Sequence, residues 1–234
     1  MKRKLLLSIL LLALGHLAHA QTPDSVFYRH HIGLNTRIVL DRLIDPDSRM
    51  PLQLMYKYQL SPNGAVRIGA EGLYAKSDST RSFTDRSDKV TNYLLGGSVG
   101  YEWQKPLNKI FMLYYGADAF YRHQGKNIEI LNRYAEPYPS QYQVDDYVDD
   151  RLSTLSAGLK PFVGLRANIG SKFYLSAETA LKMSRETNTW DFKGYIKFSS
   201  PEGGSTQTTT IGYKTQKVIA SYLPVTGFNL HYMF

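Results

Sequence analysis

The sequence predicts an all-β protein, an eight-stranded antiparallel up-and-down transmembrane β-barrel, and three observations carry that prediction. Runs of roughly ten residues alternate apolar and polar side chains along most of the chain, the period of a strand whose two faces meet different surroundings. The connections between those runs alternate long and short. The chain opens on a secretory signal and has no later apolar run long enough for a spanning helix, so crossing a membrane would need strands, which require only about 9–11 tilted residues each.

Residues Met1 to Ala20 have a basic tip (Lys2, Arg3, Lys4), an apolar run from Leu5 to Leu14, and Ala18-His19-Ala20 as a small-x-small cleavage site before Gln21. That pattern is a secretory signal and is too short to span a bilayer as a helix. Cleavage is expected to leave residues 21–234 as one barrel with four long extracellular loops. The 234-residue chain has 28 Lys and Arg against 20 Asp and Glu, and the signal carries three of the cations, so the net charge falls from +8 to +5 (28 − 3 − 20). Both signs are spread evenly, without the basic stripe a nucleic-acid groove needs, so nucleic acid is not an expected partner. With no cysteine, disulfides, thiolate metal sites, cysteine nucleophiles and a lipoprotein anchor are all excluded. A negative mean hydropathy fits a barrel, because only every second strand residue faces lipid.

The first predicted strand, His31 to Leu40, places Ile32, Leu34, Thr36, Ile38 and Leu40 on one face, and the polar stretch Asp41 to Met50 ends it. Pro51 to Leu60 sets Leu52, Leu54, Tyr56, Tyr58 and Leu60 against Gln53, Met55, Lys57 and Gln59. Asn63-Gly64 follows, a hairpin signal because both residues tolerate positive φ. Ala65 to Ala75 is the third strand and Lys76 to Lys89 a long polar loop. The fourth strand, Val90 to Trp103, turns at Lys105-Pro106-Leu107-Asn108 into the fifth, Ile110 to Arg122, which leads to a loop of mixed charge, His123 to Arg151. Leu152 to Ile169 is the sixth, turning at Gly170-Ser171 into the seventh, Phe173 to Met183. A last long loop, Ser184 to Lys217, precedes the closing strand, Val218 to Phe234. Short turns on one side and long loops on the other are the asymmetry of a barrel in an outer membrane, and an even strand count returns both termini to the periplasmic side.

Two features pull the other way. Pro161 and Pro224 fall inside predicted strands, where a closed barrel offers no edge to absorb a missing N–H. Pro224 fits the level at which the strand leaves the membrane. The last loop also alternates through Trp190, Phe192, Gly194, Ile196 and Phe198, which leaves a ten-stranded barrel as the alternative. Its returning run, Thr206 to Thr215, is too rich in Thr and Gln for a lipid face, and this favours a hairpin projecting above the membrane.

Opposite the apolar face lie Arg37, Lys57, Arg67, Glu71, Glu102, Asp118, Arg122, Lys160, Arg166, Glu178 and Lys182. Eight strands enclose an interior just wide enough for side chains, so these residues are expected to pair and fill a non-conducting lumen. A proton or ion path is the sharper alternative, since charges inside a membrane protein can mark conduction routes. Among the histidines of the mature chain, His123 beside Arg122 is the one placed for acid–base work at the outer rim, though no partner serine follows from the sequence. His30 and His31 are adjacent, so on a strand they point to opposite faces and do not make a metal pair. Asp145-Asp146 and Asp149-Asp150 lack the glycine and the spacing of a calcium loop. No catalytic, metal or cofactor site is expected.

The signal, the alternating runs and the closing segment Phe228-Asn229-Leu230-His231-Tyr232-Met233-Phe234 together resemble the small outer-membrane barrels of the OmpA and OmpX kind, and the outer-membrane β-barrel domain proteins of Bacteroidetes. The resemblance implies residence in the outer membrane of a Gram-negative bacterium, among lipid and lipopolysaccharide. It also implies that Phe228, Tyr232 and Phe234 form the signal read by the barrel-assembly machinery, and that the loops are the contact surface for protein partners. A lipid-modifying enzyme with its site near His123, and an accessory subunit of a secretion or uptake machine, are the rival expectations.

Overall fold

A computed structural model of the chain describes residues 28–35, 51–81, 86–135, 143–200 and 203–234; the signal segment and the predicted strand half 36–40, with Arg37, lie outside them. Eight antiparallel strands close into a barrel in sequence order: β1 His30–Asn35, β2 Leu52–Ser61, β3 Gly64–Arg81, β4 Arg86–Pro106, β5 Phe111–Ala135, β6 Gln143–Asn168, β7 Phe173–Ser200 and β8 Gly203–Met233. The seam is β1 against β8, from His31↔Met233 to Asn35↔Asn229. The amide of Phe234 also donates to the His30 carbonyl at 2.9 Å, so the chain's last residue ties off the ring.

Eight strands, not ten, follow from the pairing of β7 with β8, which continues up to Ser200↔Gly203 as one hairpin. The same extension occurs in the β3–β4 and β5–β6 hairpins, which pair up to Arg81↔Arg86 and Ala135↔Gln143. Most of the stretches predicted as loops, 76–89, 123–151 and 184–217, are therefore strand. The physical reason is a reversal of polarity along an unbroken register. In the lower part the outer face is apolar and the lumen side polar. Above Tyr93, Tyr121 and Leu155 the lumen side carries Ile128, Ile130, Val148, Trp190 and Phe192, while the outer face carries Lys89, Glu129, Asp149, Arg151 and Lys193. A rule that expects apolar residues outside reads such a segment as a loop, although the period-two alternation never stops.

The two prolines are accommodated differently. Pro161 pairs with Ala117 on the β5 side, and the β6–β7 ladder resumes in the same register on either side of it, so its missing N–H interrupts one edge locally. Pro224 begins a bulge. Glu178 pairs with Gly227 and Ala180 with Leu223, which sets residues 224–226 against Thr179 alone. Thr179 Oγ1 donates to the Leu223 carbonyl at 2.9 Å within the bulge. Two extra residues keep side-chain parity where one would reverse it. Phe228, Leu230 and Tyr232 below and Tyr222 and Val218 above therefore share the outer face. Deleting Pro224 alone is expected to turn one half of β8 inside out and abolish the trypsin-resistant folded form, whereas deleting Pro224 together with Val225 preserves it; limited proteolysis after refolding reads the difference.

Candidate functional site

The candidate site is the lumen, built from alternate residues of β2 to β8. One rung of the sheet runs Lys57↔Arg67↔Gly100↔Asp118↔Lys160 across five strands. Two cations face each other at its start, an arrangement that is unfavourable unless carboxylates intervene. They do. Lys57 Nζ lies 2.6 Å from Glu102 Oε2, and Arg67 Nη1 lies 2.8 Å from Glu178 Oε2 and 3.5 Å from Glu102 Oε2. Arg67 Nε lies 3.1 Å from Asp118 Oδ1, and Lys160 Nζ 3.3 Å from Asp118 Oδ2. Lys57, Arg67 and Glu102 are each 2% exposed and Asp118 1%; with the buried Glu178 and the partly exposed Lys160 they make three cations and three anions that neutralise one another.

Burial of each ion costs several kcal/mol, and only close, mutually hydrogen-bonded pairing offsets it. Arginine suits the centre because its planar fork reaches three carboxylates at once, and its guanidinium carbon also sits 4.0 Å from the centre of the Phe162 ring. Gly100 makes this possible: a Cβ there would fall inside the Asp118 carboxylate and against the Ala117 carbonyl. Glu102 is held further by Gln104 Nε2 at 2.7 Å, itself paired with Gln59.

Below the ion cluster, at the end with the short turns, aromatic rings fill the barrel. The guanidinium of Arg166 lies 3.8 Å from the centre of the Tyr174 ring, and His231 stacks on the same ring at 4.3 Å with an 8° interplanar angle. His31 meets Tyr174 edge-on at 5.6 Å, and Ser176 Oγ is 3.2 Å from His231 Nε2. His231 is wholly buried, which makes this serine–histidine contact part of a plug that no substrate reaches. Above the cluster, Arg122 binds both oxygens of Glu71 at 2.5 and 2.6 Å, and Lys182 pairs with Glu186 at 2.9 Å. Between these pairs lies a cavity of about 380 Å³, lined by Glu71, Phe120, Arg122, Lys160, Glu178 and Lys182 among others.

All the lumen residues named from the sequence that lie within the described segments, from Lys57 to Lys182, stand on the inner face, and the structure divides them by level. Lys57, Arg67, Glu102, Asp118, Lys160 and Glu178 form the cluster; Glu71, Arg122 and Lys182 line the cavity; Arg166 joins the plug. Gln59 stands inward as the sequence places it; the set of lumen residues named from the sequence does not extend to Tyr114, Phe162, Tyr174, Gln104, His31 and His231, although the same alternate-residue count reaches each. At the seam, Phe234 stacks on His30 at 5.5 Å and on Tyr232 at 6.0 Å, and Tyr232 meets Phe173 at 5.1 Å. His30 thus faces outward and His31 inward, as adjacent strand residues must.

The acidic run splits likewise. Asp145 pairs with Arg133 and Asp149 with Arg151 on one face, while Asp150 accepts from Trp190 Nε1 at 2.6 Å on the other. Among the described residues, no group of three or more His, Cys, Asp or Glu is placed to hold a metal ion. His123 has the partner the sequence could not supply: its Nε2 lies 2.9 Å from Ser153 Oγ, with the Tyr93 ring edge-on at 5.4 Å. The Tyr93 ring lies over Gly125, where a Cβ would collide with it, so the three side chains form a shallow outward niche.

Replacing Arg67 by methionine leaves Glu102, Asp118 and Glu178 with two cations, and is expected to cost about 3–5 kcal/mol in a denaturant titration. Adding Glu178→Gln to Arg67→Met should recover part of that loss.

No protein-family model, no curated protein and no solved structure matches this chain.

Proposed function

We propose that this chain is an integral outer-membrane β-barrel of a Gram-negative bacterium, secreted through the signal at residues 1–20, with a closed lumen and a contact role carried by its tall hairpins. The observation that carries the reading is the outer face of the lower barrel. Ile68, Leu95, Val99, Leu159, Val163 and Leu181 are exposed there, directly behind a buried charge cluster. A water-soluble protein would have the two faces exchanged. Aromatic residues border this band at both ends. In β4, Trp103 and Tyr93 are ten residues apart (103 − 93), and in β5 so are Phe111 and Tyr121 (121 − 111). At about 3.3 Å per residue and a tilt near 40°, ten residues rise about 25 Å, the height of an outer-membrane apolar band between its aromatic girdles. Above the upper girdle the polarity reverses, as it should where lipid gives way to water.

The aromatic plug and the neutral ion cluster together support a lumen that does not conduct. Lipid and lipopolysaccharide are then the surroundings of the band, and the assembly machinery is the partner of the outward Phe228, Tyr232 and Phe234. The protein is expected to sediment with outer membranes, to shift its gel mobility on boiling, and to give no conductance steps in planar bilayers. Recovery from a soluble fraction without detergent would overturn the embedding, and stable channel steps would overturn the closed lumen.

The niche of His123 and Ser153 favours one second reading, a lipid acyl-ester hydrolase. It lies at the upper edge of the apolar band, the depth of lipid ester carbonyls. Ser153 Oγ would attack the acyl carbonyl, pass its proton to His123 Nε2 and thence to the leaving alkoxide, and water would release the acyl group. This reading expects Ser153 to be labelled by a fluorophosphonate and wild-type protein to deacylate labelled lipopolysaccharide. An unlabelled Ser153, with equal background turnover by wild type and His123→Ala, removes it.

A further inference from the structure

At the upper girdle one tyrosine is held in a pose that a membrane anchor does not need. A girdle tyrosine keeps its ring among lipid and sends its hydroxyl toward water. Tyr93 instead lies sideways across the sheet, over its cross-strand neighbour Gly125. A Cβ on Gly125 would stand 2.5 Å from the phenol oxygen and against the ring itself. Any side chain at that position would therefore push the ring away.

On its other side Gly125 pairs with Ser153, so one rung runs Tyr93↔Gly125↔Ser153. The Cβ positions of directly opposed residues lie about 4.5–5.5 Å apart, so the phenol oxygen and Ser153 border the same gap above Gly125. His123 stands one outward step below, edge-on to Tyr93 at 5.4 Å and with Nε2 2.9 Å from Ser153 Oγ. Among the described residues the Tyr93 hydroxyl makes no hydrogen bond, so its proton is available to a ligand. In the rung of His123, Leu95 and Leu155 are both exposed on the lipid side, an apolar bed for an acyl chain.

We infer that the Tyr93 hydroxyl is the oxyanion donor of the ester-cleaving site at His123 and Ser153, and that Gly125 is what lets it reach. The inference rests on the hydrolase reading above and adds a catalytic residue to it. As Ser153 Oγ bonds to the acyl carbon and its proton passes to His123 Nε2, the carbonyl π pair moves onto oxygen. That oxygen accepts a hydrogen bond from Tyr93, which keeps its own proton. Collapse restores the carbonyl, and the departing alkoxide takes the proton from His123. Water then cleaves the acyl-serine by the same steps, with the same donor. A hydrogen bond to the charged oxygen is stronger than one to the ground-state carbonyl, so the hydroxyl lowers the barrier more than it tightens binding.

The test uses the full chain in detergent micelles, with acyl-labelled lipopolysaccharide and acyl-labelled phosphatidylethanolamine as substrates. A fluorophosphonate reads Ser153, and boiling-dependent gel mobility reads the barrel. Tyr93→Phe keeps the ring and removes only the hydroxyl; kcat should fall about 10²–10³-fold with KM little changed and the mobility shift intact. Gly125→Ala keeps the hydroxyl but displaces it, and should lose kcat to a similar extent. Both positions face outward, so neither change touches the lumen. Wild-type kcat in Tyr93→Phe beside an impaired Tyr93→Leu assigns the ring a packing role and overturns the donor, as does full activity of Gly125→Ala. In either case an active, labelled wild type leaves the hydrolase reading standing. A wild type that cleaves neither lipid and takes no label removes that reading, and the donor with it.

Discussion

Because the ring is closed, a slip of one residue between any two strands would carry a whole set of side chains from the apolar outside to the charged inside, and no free edge could absorb the error. The register is accordingly constant along β3 to β6, and the one large irregularity, at Pro224, inserts residues in a number that leaves parity unchanged. Everything else in the molecule inherits this constraint. The ion cluster exists because five strands bring Lys57, Arg67, Gly100, Asp118 and Lys160 to one level, and the aromatic plug because Tyr174 and His231 meet across β7 and β8.

Within the lumen the balance of charge matters more than any single pair. Glu102 accepts from both Lys57 and Gln104, Asp118 is shared by Arg67 and Lys160, and Arg67 reaches Glu178 from the far side of the barrel. Interlocking of this kind is what makes buried charges tolerable, since Arg67, Glu102 and Asp118 are each compensated by more than one neighbour. Gly100 and Gly33 contribute by what they lack, leaving room for the Asp118 carboxylate and the His231 ring.

The exchange of polarity along continuous strands divides the molecule into two zones without any break in its backbone. In the lower zone closure satisfies every strand. In the upper zone the lumen side of β5 to β7 becomes apolar. Burial of Tyr147, followed by the nearby Asp149 and Glu129, pushes its phenol up from the usual tyrosine range, although it belongs to the outer face of this projecting part.

The alternation of Leu52 to Leu60 or Leu155 to Ala167 is a local property, so strand type, the inward set of charges and the closing aromatic strand could be read directly from the residues. The extents of β5 to β8 could not, because deciding that Ile128 or Trp190 faces the lumen requires knowing where along each strand the two faces exchange polarity. The sequence could name His123 but not Ser153, thirty residues away, and it could name Arg67 without choosing among Glu102, Asp118 and Glu178. Partners across strands are set by register, and register is decided only when the ring closes. The sequence by itself therefore determined which face of each strand is which in the lower barrel; the tertiary structure decided how far the strands run and which side chains meet, since each of these depends on residues distant in the chain being brought to one level.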